Sequence, residues 1–231
     1  MEEFDKFSSN YKRILDRDVR FFGEDSEYFA SYKAAYVYRY LGGNFNGNIL
    51  DYGCGIGAVT KFLNSIFKDR KVDILGYDIS AESIEEARKG VKDVEFTNNP
   101  EDIENRFFDV IVMANVLHHI KVEDRYEFLK KAVSHLAKNG KIFVFEHNPY
   151  NPLARLIVKL SILDRGASLI SSRDMAALFR EAGICPVESK YIIFFPKIFK
   201  VFRPLETFLG GFPVGAQYVF VGKAVYDRGK I

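Results

Sequence analysis

The run Ile49-Leu50-Asp51-Tyr52-Gly53-Cys54-Gly55-Ile56-Gly57 places a carboxylate at the end of a short apolar stretch and three glycines at alternate positions behind it. Glycine has no Cβ and tolerates positive φ, so the chain can turn sharply there and bring its backbone within contact distance of a ligand. Asp51, two residues before Gly53, stands at the carboxyl end of that stretch, the edge at which open α/β sheets bind ligands. A second acid, Asp78, ends the next apolar stretch. Histidine is the side chain best suited to take a proton near pH 7, and there are four. His118 and His119 follow one apolar run, and His147 closes another within Glu146-His147-Asn148, where Glu146 can orient it or cap a nearby backbone group. His135 falls in a helical pattern and reads as surface. No third group stands at metal-ligand spacing from these histidines, so no metal site is expected.

Alternating strands and helices must position these groups. Strands are expected at 48–52, 73–77, 94–97, 109–113, 141–146, 187–195 and 217–224. The run 109–113 is continuously apolar, as befits a strand buried on both faces. Helices are expected at 58–67, at 83–89 behind a Ser80 cap, at 123–137 stopped by Asn139-Gly140, at 153–163, and from Ser171-Ser172 to Glu181. Two aromatic helical stretches precede them, one with Phe4, Phe7 and Tyr11, the other over 26–41 with Tyr28, Tyr32 and Lys33 as further contact candidates. This alternation is the pattern of a doubly wound, mostly parallel sheet. Residues 1–45 read as an N-terminal helical lid and 46–231 as the main domain, with a lid insertion at 196–213.

With 231 residues the chain suits one decorated α/β domain. Its 33 basic and 31 acidic residues nearly cancel, which gives no general argument for nucleic acid. No run of about 18 uncharged apolar residues suggests a membrane span. The polar start Met-Glu-Glu-Phe-Asp-Lys does not resemble a signal peptide, and Cys54 and Cys185 lack a disulfide or zinc pattern, so a cytoplasmic protein is expected.

Four stations in order resemble class I S-adenosylmethionine (SAM) methyltransferases: the Asp51–Gly57 loop, Gly76-Tyr77-Asp78-Ile79-Ser80, Phe108-Asp109-Val110-Ile111-Val112-Met113 with Asn115-Val116-Leu117-His118-His119, and Leu136-Ala137-Lys138-Asn139-Gly140-Lys141. The resemblance implies a Rossmann-like, doubly wound seven-stranded sheet of order 3-2-1-4-5-7-6 with strand seven antiparallel. It implies SAM as cofactor and S-adenosylhomocysteine as product. Gly53, Cys54, Gly55 and Gly57 would line the methionine tail and ribose, with Asp51 near the tail's ammonium. Asp78 would accept from the two ribose hydroxyls, Ile79 would pack on adenine, and Asn115 would lie under the methionine part. The family usually has an acid after strand three; Asn98-Asn99 stands there instead, and Asn99 is taken as the adenine contact. Tyr11 is the lid aromatic. His147, His119 and His118 are the catalytic candidates, on a small-molecule or lipid- or sugar-linked acceptor, with oxygen the expected methyl-accepting atom.

Two other readings compete. Gly53-x-Gly55-x-x-Ala58 fits a loose nicotinamide-dinucleotide pattern, but Asp78 lies 25 residues beyond Gly53 rather than about 20. A non-catalytic SAM-binding homologue would bind without turnover, against which the intact Asp51 and Asp78 argue. Nucleic-acid methylation is disfavoured because Asn148-Pro149-Tyr150 follows the fifth strand rather than the fourth. In the insertion, Ile198, Phe202, Leu205 and Leu209 fall on one helical face and Lys197, Lys200 and Arg203 on another. Such a helix suits a lid, a dimer contact or the surface of a membrane.

Overall fold

A computed structural model describes residues 11–19 and 23–224. Two helices come first, α1 (Tyr11–Val19) and α2 (Ser26–Leu41). Then β1 (Gly47–Tyr52), α3 (Ala58–Phe67), β2 (Val72–Tyr77), α4 (Ala81–Gly90), β3 (Glu95–Thr97) and β4 (Phe108–Ala114) alternate. They are followed by α5 (Arg125–Ser134), β5 (Leu136–His147), α6 (Pro152–Leu160), α7 (Ser172–Glu181), β6 (Ile184–Ile192), α8 (Glu206–Leu209) and β7 (Gln217–Ala224). The seven strands form one sheet of order β3-β2-β1-β4-β5-β7-β6, as the family resemblance implies. β7 runs antiparallel to both neighbours, and the other pairings between β1 and β5 are parallel.

Side chains alternate across the sheet and so build a core on each face. Leu50, Ile111, Ile142 and Val144 face α5 and α7, where Leu129, Met175 and Phe179 cover them. Ile49, Val110, Val112 and Phe145 face α2 and α3, where Val37 and Leu63 do the same. The second helix of the expected lid is therefore part of this core: Phe29, Ala30, Ala34 and Val37 are buried. Asp25 caps α2 by accepting from Tyr28 N at 3.0 Å, and Ser80 caps α4 by accepting from Ser83 N at 3.1 Å, the latter as expected.

Several local expectations are corrected. The helix expected over 123–137 is a 3₁₀ turn (Val122–Asp124) and α5, and the Asn139-Gly140 turn lies inside β5 as a bulge. Phe108 pairs with Leu136 while Val110 pairs with Lys141, and Asn139 takes φ +67°. Burial of Leu136 against α5 starts the strand early. β6 begins three residues earlier than expected, at Ile184, because its apolar first residue joins the core beside Phe179. Residues Lys197–Leu205 form 3₁₀ turns with a non-helical Phe199, followed by the four-residue α8, rather than one amphipathic helix. Pro204 removes a donor, and the buried Glu206 carboxylate ties the segment down by accepting from Phe194 N and Phe195 N, each at 3.0 Å. His135 is buried at the end of α5 rather than on the surface, where its carbonyl accepts from Phe108 N at 2.8 Å. Among the described residues no helix is long and apolar enough to cross a membrane.

Candidate active site

Parallel pairing brings the carboxyl ends of β1, β2, β4 and β5 to one edge of the sheet. The antiparallel β7 begins at that edge, with Gln217 paired to His147. A cleft of about 560 Å³ opens there.

One end of the cleft is made by the glycine loop. Gly53 takes φ +81° and donates to Tyr77 O at 2.7 Å, and a Cβ at this position would lie 2.6 Å from Val116 Cγ2. Only glycine fits both requirements. Gly55 N–H donates to Asp78 Oδ2 at 2.8 Å and Ser80 N–H to Asp78 Oδ1 at 2.9 Å. Asp78 is thereby fixed at the cleft. Asp51, Gly53, Cys54, Gly55, Ile79 and Asn115 also line this end.

Asp51 is 1% exposed. Its Oδ2 accepts from Thr60 Oγ1 at 2.6 Å, and its Oδ1 has no hydrogen-bond partner. Asn115 Oδ1 and Gln217 Oε1, also on the cleft, are likewise buried and unpartnered. Asp18, which also lines the cleft, has an unpartnered buried Oδ2 as well. Leaving a buried acceptor unpaired is unfavourable, so four such oxygens in one cleft describe a site built for a ligand with donors. Burial pushes the Asp51 carboxyl up to about 6 against the Thr60 bond, and Asp78 adds to the rise while the nearby Lys33 opposes it. Lys33, from α2, is itself 4% exposed on the cleft wall, and burial holds its ammonium down to about 8.

The other end holds His118, His119, His147 and Asp164. Glu146 is fully buried; its Oε1 accepts from Leu117 N at 2.7 Å and its Oε2 lies 2.6 Å from His118 Nδ1. It therefore orients His118, not His147. His118 Nε2 lies 3.2 Å from Asp164 Oδ1, and His119 Nε2 lies 3.5 Å from the same oxygen. The His147 ring stacks edge-on to His118 at 5.2 Å. Burial disfavours charge on His118, yet Glu146 and Asp164 outweigh it and hold the imidazole up at about 9. Burial and the neighbouring His118 hold His119 and His147 down at about 4, so both are neutral at pH 7.

Not every residue singled out from the sequence reaches the cleft. Asn99 accepts from Glu101 N at 3.1 Å and donates to Asp102 Oδ1 at 3.3 Å, so it caps its own turn and does not line the cleft. Gly57 starts α3, where a Cβ would come 3.1 Å from Phe96 Cζ; it too lies off the cleft. The Tyr11 side chain, with Phe4 and Phe7, lies outside the described residues. Tyr28 turns to the insertion, its ring 4.3 Å from the Arg203 guanidinium, and Tyr32 is packed beside it at 6.3 Å. Arg203 also bonds Glu24 at 2.7 Å, so it does not share an open basic face with Lys197 and Lys200. Sequence reasoning missed Asp164 and Gln217. Asp164 has no spacing signal, whereas Gln217 could have been found as the first residue of a strand that enters the sheet from the ligand edge.

Comparison with known proteins bears on the family and the fold. A family model described as a methyltransferase domain matches residues 12–189. An uncharacterized methyltransferase of Staphylococcus carnosus (strain TM300) is 26% identical over 149 residues, which are 63% of this chain and 67% of that one. Among solved structures, a SAM-dependent methyltransferase from Archaeoglobus fulgidus superposes with TM-score 0.67 at 14% identity, over 89% of this chain and 97% of that one. The magnesium protoporphyrin IX methyltransferase of Synechocystis PCC 6803, solved with bound SAH, superposes with TM-score 0.64 at 14% identity, over 95% and 96% of the two chains.

Proposed function

The chain belongs to the class I SAM-dependent methyltransferases, and on that premise we propose that it methylates an oxygen of a small acceptor carrying an apolar or lipid-linked part. Its cofactor is SAM, which when bound supplies an electrophilic methyl group. Asp51 Oδ1 would receive the cofactor's ammonium, Asp78 its ribose hydroxyls, Ile79 its adenine face, and Asn115 its methionine part. Gly53, Cys54 and Gly55 would let it approach the backbone.

One observation carries the reading. A single cleft joins the unpartnered Asp51 and Asn115 oxygens to the His118, His119 and His147 imidazoles. Methyl transfer needs an acceptor held in line with the methyl group, and a hydroxyl acceptor gains from a base beside it. His147, half-buried and neutral, is that base, while His118 and His119 face the acceptor.

An apolar acceptor is supported by what surrounds the cleft. α6, whose Ala154 and Ile157 line it, carries Arg155 and Lys159 and no acid. Asn151 Nδ2, at its start, donates to Val214 O at 2.6 Å and so joins it to the insertion. There Ile198, Val201 and Phe208 are each at least 74% exposed, and Glu206, the sole acid of 197–214, is buried. Apolar side chains among unopposed lysines suit an anionic lipid surface.

The test is incubation with methyl-labelled SAM and paired hydroxyl and amine acceptors, short-chain and lipid-linked, read by mass spectrometry. Label in an ether or ester of the lipid-linked hydroxyl is expected. Label on the amine alone would overturn the oxygen assignment, and equal use of the short-chain analogue would overturn the apolar one.

A further inference from the structure

Three side chains from two distant loops meet at the acceptor end of the cleft. One ring nitrogen from each of His118 and His119 and one oxygen of Asp164 all lie within 4.8 Å of one another. The approaches of His118 Nε2 and His119 Nε2 to Asp164 Oδ1 are 3.2 Å and 3.5 Å. Ligand atoms held about 2.0–2.1 Å from a tetrahedral zinc ion stand roughly 3.4 Å apart, so these separations match such an ion. We propose that His118, His119 and Asp164 bind a divalent transition-metal ion, with zinc the ion of matching geometry, and that an acceptor oxygen takes the position left open to the cleft.

The surroundings are those a metal-binding histidine requires. Glu146 Oε2 lies 2.6 Å from His118 Nδ1, so that ring nitrogen is the donor, and the ion would bind Nε2 by displacing the proton shared there with Asp164. The carboxylate is itself fixed by Leu117 N–H at 2.7 Å. A carboxylate behind a ligating imidazole sets its tautomer and raises its basicity. Two imidazoles and a carboxylate are a donor set for zinc and its first-row neighbours rather than for magnesium or calcium. All three ligands line the cleft, as does His147.

The ion's place rests on the three ligands alone; the acceptor's place rests also on the oxygen-acceptor reading. There the ion would draw electron density from the acceptor hydroxyl. Its proton would pass to the His147 imidazole as the oxygen–methyl bond forms and the methyl–sulfur bond breaks, with the electron pair staying on sulfur. The same atoms also fit a proton shared by His118 and Asp164, and experiment separates the two occupants.

The full chain, stripped with chelator, is titrated with Co²⁺ under visible absorption and with Zn²⁺ in a calorimeter, and each sample is titrated with SAM to show that it is folded. One equivalent of Co²⁺ with tetrahedral-type absorption, displaced by Zn²⁺, is expected. Asp164→Asn should weaken the ion by at least about 100-fold, and Glu146→Gln by roughly 10–100-fold, with SAM affinity retained. Stripped wild-type protein that binds SAM but not Co²⁺ overturns the site, as does Co²⁺ binding indifferent to Asp164→Asn. Ion binding together with methylation of nitrogen alone leaves the site and removes the acceptor oxygen from it.

Discussion

Replacing Asp51 with asparagine should weaken SAM binding while making the ligand-free protein more stable. The carboxylate is fully buried with one oxygen on Thr60 and the other unpartnered. Burial raises its pKa from 3.8 to about 6, which is worth roughly 3 kcal/mol against the ionised folded state. The sign follows from proton counting. Between pH 4 and 6 the folded state holds the proton more tightly than the unfolded one, so this group's contribution to stability falls as pH rises and is lowest above pH 6. The Asp51→Asn side chain would keep the Thr60 bond and carry no charge, so urea unfolding at pH 7.5 should show a gain of up to about 3 kcal/mol. The ligand-bound state should change in the opposite sense. Losing a charge-assisted bond to the ammonium removes about 1.5–3 kcal/mol, or roughly 10–150-fold in affinity. Wild-type affinity should also fall about fivefold between pH 6 and pH 5, as Asp51 takes up its proton, a slope that Asp51→Asn should lose. Calorimetric titration from pH 5 to 8 on both proteins measures this. Equal SAM affinity of the two at pH 7.5, or the same slope in both, would refute the placement of the ammonium at Asp51.

Asp78→Ala should lower SAM affinity by about 1–3 kcal/mol, because Gly55 N–H and Ser80 N–H lose their acceptor along with the ribose; calorimetry decides it. Gly53→Ala should destabilise the fold by about 1–3 kcal/mol through positive φ and the approach to Val116, with partial rescue by Val116→Ala in thermal unfolding. His147→Ala should leave SAM affinity within about twofold and slow turnover by about 10²–10⁴; unchanged turnover would remove it from the mechanism. Phe208→Asp, at a side chain 81% exposed, should abolish sedimentation with anionic vesicles without lowering the melting temperature.

Local chemistry was legible in the sequence because it depends on near neighbours. The Asp51–Gly57 loop needs positive φ and missing Cβ atoms, and only glycine supplies both, so Gly53 and Gly55 announce the turn by type alone. Asp78 is readable in the same way, as an acid at the end of an apolar strand, and its helix cap Ser80 lies two residues on. Strand alternation carried the doubly wound, mostly parallel layout, while the strand order with its antiparallel β7 came only from the family resemblance that the four stations carry. Tertiary structure decided whatever depends on groups far apart in the chain. Asp164 reaches His118 across 46 positions through an irregular loop that no period describes. Glu146 chose His118 rather than its neighbour His147, because successive strand residues point to opposite faces. Asn99 was read as a ligand contact and became a turn cap, since a nearby backbone N–H was free to claim its oxygen. The helical pattern of 197–209 gave way to 3₁₀ turns once Glu206 was drawn inward to two backbone donors and Arg203 to Glu24. Residue type and short spacing determined the glycine-loop end of the cleft, whereas long-range packing determined the histidine end, which is why the chain's class is written in its sequence and the geometry at its histidines is not.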